Sequence, residues 1–362
     1  MAEFIEIKIP EKAMEKYLSQ KEGQKVKILK YKKLGAGWHG TGYEITYQLG
    51  KSIKIVILRT LRPAGFSHDY PADRGKVFLL QHAHAKLIPK HIESLDVGGY
   101  APERKLVSLG EILEFFQIVE KAEGLVYMDE LKRIKGTGQL TRENKNQALI
   151  LSEYLVSLHQ KKYKGDKKLA ESLYKRHLRD CVGHGEMLMG VIDTYPEKVD
   201  FATADEISET ICQAVRFKEK IKGKSYRLCR MHGDFHPGNI IFKGKDFQVL
   251  DASRELWGDP ADDLTTLAIN HIWFAIMHKG DFSGPFAEIF KIFWNNYMQK
   301  TKDNEILEIV PLFFAFRGMV VIHPIFYPEQ SSQVRRKIFN FVKNALTAKK
   351  FDPTAINRLI KP

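Results

Sequence analysis

The stretch MHGDFHPGNIIFKGKDFQVLDAS, Met231 to Ser253, decides how the rest of the chain is read. Within it, IIF (Ile240 to Phe242) and FQVL (Phe247 to Leu250) are short apolar runs joined by KGKD, a turn around Gly244. That pattern predicts a small β-hairpin. Asp234 and Asn239 precede the first strand on one loop, and Asp251 follows the second. A hairpin this short returns Asp251 to the neighbourhood of Asn239. Two carboxylates and an amide oxygen then converge, a set of hard oxygen donors that suits Mg²⁺ and, through it, a polyphosphate.

Upstream, GAGWHG (Gly35 to Gly40) fits G-x-G-x-x-G. A dinucleotide-binding unit needs a strand, a glycine turn and then a helix, so that the pyrophosphate meets a helix N-terminus. Here KVKILKYKKL (Lys25 to Leu34) precedes the glycines, and YEITYQLG and KSIKIVILRTL follow them. All three runs are rich in β-type residues and lack a 3.6-residue period, so the expectation is strand, turn, strand. The Walker pattern G-x-x-x-x-G-K-[ST] is absent at this site. What remains is a glycine-rich hairpin of the kind that covers nucleotide phosphates in kinases.

The HGDFHPGN segment with its hairpin and closing Asp resembles the catalytic segment of the aminoglycoside phosphotransferase and choline kinase family, small-molecule kinases with a protein-kinase-like fold. GDPADDL (Gly258 to Leu264), YLVSLHQ (Tyr154 to Gln160) and FFQIVEKAEG (Phe115 to Gly124) resemble the family's downstream element, its helix ending in Leu-His and its inter-lobe linker. The likeness runs from about Leu34 to Leu264. It implies an α+β bilobal fold: a small, mainly antiparallel β N-lobe with one main helix (1–119), a linker (120–124) and a larger, mainly helical C-lobe (125–362) with an acceptor-binding insert at about 164–230. It also implies roles. Asp234 is the catalytic base, and Asn239 and Asp251 hold Mg²⁺. Gly35, Gly37 and Gly40 approach the phosphates of ATP, or of GTP, with Trp38 and His39 at the tip. Ile57 touches adenine, Arg59 reaches phosphate, and the backbone of Glu120, Lys121 and Ala122 meets the adenine edge. Asp263 braces the catalytic loop. Two departures stand out: Gly42 replaces a valine of the kinase pattern, and the first-lobe helix offers Asp73, with Asp69 before it, where a glutamate would pair Arg59.

Several side chains carry a plainer reading. Lys54 falls on the strand face opposite Arg59. His232 is expected to hold the loop by hydrogen bonds, and His236 to do the same or touch phosphate. His82, His84 and His91 read as solvated, since i and i+2 point to different helix sides. Asp262 reads as a first-turn helix charge.

The 362 residues, 44% hydrophobic and 28% charged, suit a soluble two-lobed chain with a sizeable core. Cys181, Cys212 and Cys229 are sparse and form no C-x-x-C, which argues against a disulfide framework and for a cytoplasmic setting. IVPLFFAFRGMVVIHPIFYP (Ile309 to Pro328) is apolar, but Arg317, Pro311 and Pro324 interrupt it, so a buried core helix is expected and not a membrane span. The net charge of +13 is dispersed, densest at Lys161 to Lys168, and no nucleic-acid motif accompanies it. The reading is a Mg²⁺–ATP-dependent kinase of a small hydroxylated acceptor other than a polycationic aminoglycoside, with no nucleic-acid partner and no membrane association. The alternative is a nucleotide-binding regulatory module without transferase activity.

Overall fold

The computed structural model describes residues 8–36, 40–63, 68–85, 87, 92–110, 117, 119–251 and 253–362. The chain divides into two compact units, Met1–Val119 and Glu120–Pro362.

The first unit opens with α1 (Glu11–Lys21), followed by β1 (Val26–Ala36), β2 (Gly40–Leu49) and β3 (Ser52–Leu61). These strands form an antiparallel sheet in the order β1-β2-β3. The glycine stretch therefore links strand to strand, as its flanks imply. Gly37, Trp38 and His39 lie outside the described residues. Met14 and Leu18 of α1 pack on Val26, Ile28, Ile45 and Tyr47, with Val56 and Leu58 partly buried against them. Complete burial of one such side chain is worth roughly 1.5–3 kcal/mol. Glu15 accepts from the Ile28 N–H at 2.8 Å, and Glu22 accepts from Lys54 at 2.9 Å, so α1 is tied to the sheet by charge as well. The period-2 alternation of β3 sends Val56 and Leu58 to this core and leaves Ile53, Ile55 and Ile57 exposed on the other face. Next come α2 (Pro71–Ala85) and a ladder of β4 (Gly98–Tyr100) with β5 (Leu106–Ser108). Of the start of the expected linker segment, residues 117, 119 and 120 carry no strand, and 115, 116 and 118 lie outside the described residues.

The second unit begins with β6 (Leu125–Val126), α3 (Tyr127–Thr137), α4 (Arg142–His159), α5 (Lys167–Gly183), α6 (Leu188–Asp193) and α7 (Ala204–Ile221). The short strands β7 (Cys229–Arg230), β8 (Ile240–Lys243), β9 (Asp246–Val249) and β10 (Trp257–Gly258) follow. It closes with α8 (Pro260–Lys279), α9 (Gly284–Thr301), α10 (Val310–Val321), α11 (Ser332–Thr347) and α12 (Ile356–Leu359). α8 is buried from Pro260 through Ile276, and α10 is buried on nearly every side. A helix apolar all round belongs in a core, and α8 is covered by α9 and α10. Among the described residues no helix is long and apolar enough to cross a membrane.

The expected hairpin is β8–β9, paired Ile240 to Val249 and Phe242 to Phe247. It gains a third strand, β6, in the order β6-β8-β9. Gly124 permits this: its φ is +135°, and a Cβ there would lie 2.1 Å from the Phe242 carbonyl oxygen.

Candidate active site

The loop from Met231 to Asn239 is suspended between β7 and β8. At its start β7 pairs with β10, and the Met231 N–H donates to the Leu256 carbonyl at 3.0 Å. At its end Pro237–Asn239 form a 3-10 turn, with His236 Nδ1 accepting from the Gly238 N–H. The centre is held by a single carboxylate. Asp263 accepts from the His232 N–H at 2.8 Å and from the Gly233 N–H at 2.7 Å. His159, the last residue of α4, lies with Nε2 3.2 Å from Asp263 and with Nδ1 2.8 Å from the Tyr297 hydroxyl. The Leu-His ending of α4 thus has a physical reason, since its imidazole orients the carboxylate that orients the loop. Burial raises the cost of the Asp263 charge, but the His159 contact and the loop N–H groups outweigh it and hold its carboxyl below the ordinary range. Gly233 has φ +86°, and a Cβ would meet Arg254 at 2.5 Å. Only glycine suits both that backbone and that contact.

Asp234 is mostly buried and meets a partner that the motif does not contain. Arg317 of α10 donates to Asp234 Oδ1 at 2.6 Å, to the Gly233 carbonyl at 2.7 Å and to Asp262 Oδ1 at 2.8 Å. Asp262 stands in the first turn of α8, as expected, and is in addition a fully buried partner of Arg317. Desolvation opposes ionisation of Asp234, yet Arg317 overcomes it and lowers its pKa. Desolvation dominates at Asp262, whose pKa is raised. Arg317 itself stays protonated, because the two carboxylates outweigh the burial that would deprotonate it. His232 Nδ1 accepts from the Asp234 N–H, a loop-holding bond. Burial lowers the pKa of His236, whose Nε2 sits 3.9 Å from Asp234.

The hairpin brings the two other candidate oxygen ligands, Asn239 and Asp251, toward each other. The Leu250 N–H donates to the Asn239 carbonyl at 2.9 Å, which places Asp251 one residue from Asn239's partner. Asn239 Nδ2 donates to the Asp234 carbonyl, so its Oδ1 remains as the donor atom for a cation. Asp251 is exposed and has φ +58°, a left-handed conformation uncommon outside glycine. One amide oxygen and a carboxylate fit Mg²⁺, which takes one or two carboxylates and fills its shell with water and phosphate. No group of three His, Cys, Asp or Glu able to hold a metal occurs among the described residues, so a protein-only cage is not built here.

Asp234 and Asp251 both face a cavity of about 590 Å³ inside the second unit. The 164–230 insert supplies one wall through Glu186, Gly190, Val191 and Thr194, while α8, α10, the turn after it, Met128 of α3 and the segment from Asp234 to Arg254 supply the rest. The insert's share is smaller than its length suggests.

In the first unit, Ile57 and Arg59 share the exposed face of β3, whereas Lys54 is engaged by Glu22. Arg59 donates to Gln81 Oε1 of α2 at 3.4 Å, so the helix offers it an amide. Asp73 accepts from the Tyr70 N–H at the start of α2. Gly40 has a structural reason of its own, since a Cβ there would lie 2.1 Å from the Thr60 carbonyl. Gly35 pairs with Gly42 across β1 and β2. His82 Nδ1 bonds the Ser94 hydroxyl, and His84 is exposed; His91 lies outside the described residues. In the second unit, Glu120, Lys121 and Ala122 make no backbone hydrogen bond to other described residues. Arg317 is the residue missed from sequence. Its one signal was a lone charge in an apolar run.

No curated protein sequence matches the chain. Among solved structures it resembles an ADP-bound aminoglycoside phosphotransferase (17% identity, 92% of this chain and 95% of that one, TM-score 0.31). It also resembles an amicoumacin kinase in complex with AMP-PNP and Ca²⁺ (15%, 96% and 97%, TM-score 0.39). A third is a choline/ethanolamine kinase family protein from Mesorhizobium loti (12%, 91% and 92%, TM-score 0.34). Residues 191–295, which include the braced loop, the hairpin and all of α8, match the family model "Phosphotransferase enzyme family". The resemblance carried by HGDFHPGN and GDPADDL is thus a match to the phosphotransferase enzyme family at the segment that holds the site.

Proposed function

We propose that the protein is an ATP-dependent phosphotransferase that moves the γ-phosphoryl group to a hydroxyl of a small molecule. One observation carries this reading: Asp234 stands on a loop held by buried hydrogen bonds and opens, with Asp251, onto a cavity large enough for a small-molecule acceptor.

The chemistry follows from the contacts. Arg317 occupies Asp234 Oδ1, which leaves Oδ2 to accept a hydrogen bond from the acceptor hydroxyl. A carboxylate held below its ordinary pKa is a weak base. Its work is to aim the oxygen and to take the proton late, which suits the loose transition state of phosphoryl transfer. Asn239 Oδ1 and Asp251 would hold Mg²⁺, which when bound neutralises charge on the transferring phosphate. Gly35, Gly37, Gly40, Ile57 and Arg59 are assigned to the nucleotide, ATP or GTP, together with the backbone of Glu120 to Ala122, whose N–H and C=O groups, unpaired among the described residues, suit a base edge.

The test is phosphate transfer from Mg–ATP across a library of hydroxylated compounds, run on wild type and Asp234→Ala. Equal transfer by the two would remove the reading. A second reading, a nucleotide-binding module without transfer, draws on the amide partner of Arg59. It predicts thermal stabilisation by ATP, about 2.7 kcal/mol at a hundredfold excess over Kd, with no turnover on any compound.

A further inference from the structure

The cavity beside Asp234 contains charges of both signs, and they answer one another. Arg317 is bound to Asp234 and Asp262. Arg254 is bound to Glu186. Asp251 is assigned to the metal, and His236 Nε2 lies 3.9 Å from Asp234. Among the described residues no lining cation is left without a carboxylate, so an anionic acceptor finds no counter-ion. Of the lining carboxylates, Glu186 is held by Arg254, one oxygen of Asp234 by Arg317, and Asp251 is assigned to the metal, so a polycation meets a single open oxygen, Asp234 Oδ2.

The uncommitted polar atoms on the wall are neutral. Asn270 donates its amide N–H to the Thr266 carbonyl, which leaves Oδ1 as an acceptor. The Ser253 and Tyr327 hydroxyls make no hydrogen bond to a described residue. Much of the remaining surface is apolar, from Val191 on α6, Ile269 on α8, and Phe316 and Val320 on α10. At one side stands the turn after α10. His323 Nδ1 accepts from the Ile325 and Phe326 N–H groups, and its Nε2 meets the Thr194 hydroxyl at 2.8 Å. This buried imidazole fixes the turn that carries Phe326 and Tyr327. Phe326 stacks on His323 at 3.8 Å yet remains 55% exposed. An exposed aromatic ring on the wall of a polar-floored cavity is suited to an apolar ligand surface.

We propose that the cavity takes an uncharged acceptor: a hydroxylated molecule with an apolar or aromatic body, its further polar groups met by Asn270, Ser253 and Tyr327. This rests on the phosphotransferase reading for the word acceptor, but the binding preference stands without it.

Three matched probes separate the charge classes: 1-phenylethane-1,2-diol, 2-amino-1-phenylethanol and mandelate share a phenyl body and a benzylic hydroxyl. Binding to the full chain is read by protein-detected NMR with Mg²⁺ and without nucleotide, so failure of phosphate transfer leaves the result intact. The neutral diol is expected to bind about tenfold more tightly than either ion. Phe326→Ala, a change at an exposed position, should weaken the diol, and Phe326→Glu should move the preference toward the amine. Equal or tighter binding of mandelate or the amine to wild type overturns the proposal, as does the absence of binding by all three. Preferred diol binding with no transfer from Mg–ATP to any compound would sink the transferase reading alone.

Discussion

The loop from Met231 to Asn239 and the outer face of β3 carry candidate residues under opposite physical conditions. On the loop, nearly every polar group already has a partner: Asp263 holds two N–H groups, and Arg317 holds Asp234, Asp262 and the Gly233 carbonyl. On β3, Ile57 is 51% exposed and, among the described residues, Arg59 reaches only an amide at 3.4 Å. The first region is organised before any ligand arrives, the arrangement that electrostatic catalysis requires. The second gains its interactions when a ligand arrives, so its residues should govern affinity more than rate.

Substitutions can break this contrast. Asp234→Ala should lower kcat by about 10³-fold, within the range for a positioned acid–base group, while ATP binding by calorimetry stays within a factor of a few. If kcat survives, the loop is scaffold and not catalyst. Arg317→Met leaves two buried carboxylates without their cation and should cost about 3–5 kcal/mol in urea unfolding. A loss below 1 kcal/mol would mean that the buried pairs contribute nothing. Burial lowers the pKa of His271 from its ordinary 6.5 to about 3. The unfolded chain then binds a proton that the folded chain refuses, so stability falls as pH drops below 6.5, by about 1.4 kcal/mol per unit from this group. Unfolding measured at pH 6.5 and 5 should show that slope, and His271→Leu should flatten it. Arg59→Ala should be the mildest: KM for ATP about tenfold higher, kcat retained, and stability changed by about 0.5 kcal/mol or less, as expected at an exposed position. A large fall in kcat with unchanged KM would erase the distinction between the two regions.

The hairpin and the strand–turn–strand around the glycines were legible because each is a local pattern of β-type residues about a glycine turn, whereas the bracing by Asp263, some 30 residues from the N–H groups it holds, was expected only from the family resemblance. The ladders of Gly98–Tyr100 with Leu106–Ser108, and of β7 with β10, were not. Strands of two or three residues show no period, and tertiary pairing alone makes them strands. Arg317 was half legible. Its position in an apolar run argued against a membrane span and for burial, and α10 is buried. A buried arginine requires an anion, but nothing near it in sequence names that anion. Asp234 lies 83 residues away. Gln81 was missed for a related reason, since an amide on a helix carries no charge pattern that would mark it as the partner of Arg59.

That 83-residue separation also sets an order in time. At ~5–20 residues per second of synthesis, Arg317 follows Asp234 by about 4–17 s. Through that interval Asp234 and Asp262 have no guanidinium to join, and the segment that becomes α8 has no α10 to cover it. The loop should therefore stay open to protease in ribosome-bound chains arrested before residue 317 and close in chains extended past α11. A nascent chain already protected at the shorter length would show that the loop assembles without its arginine.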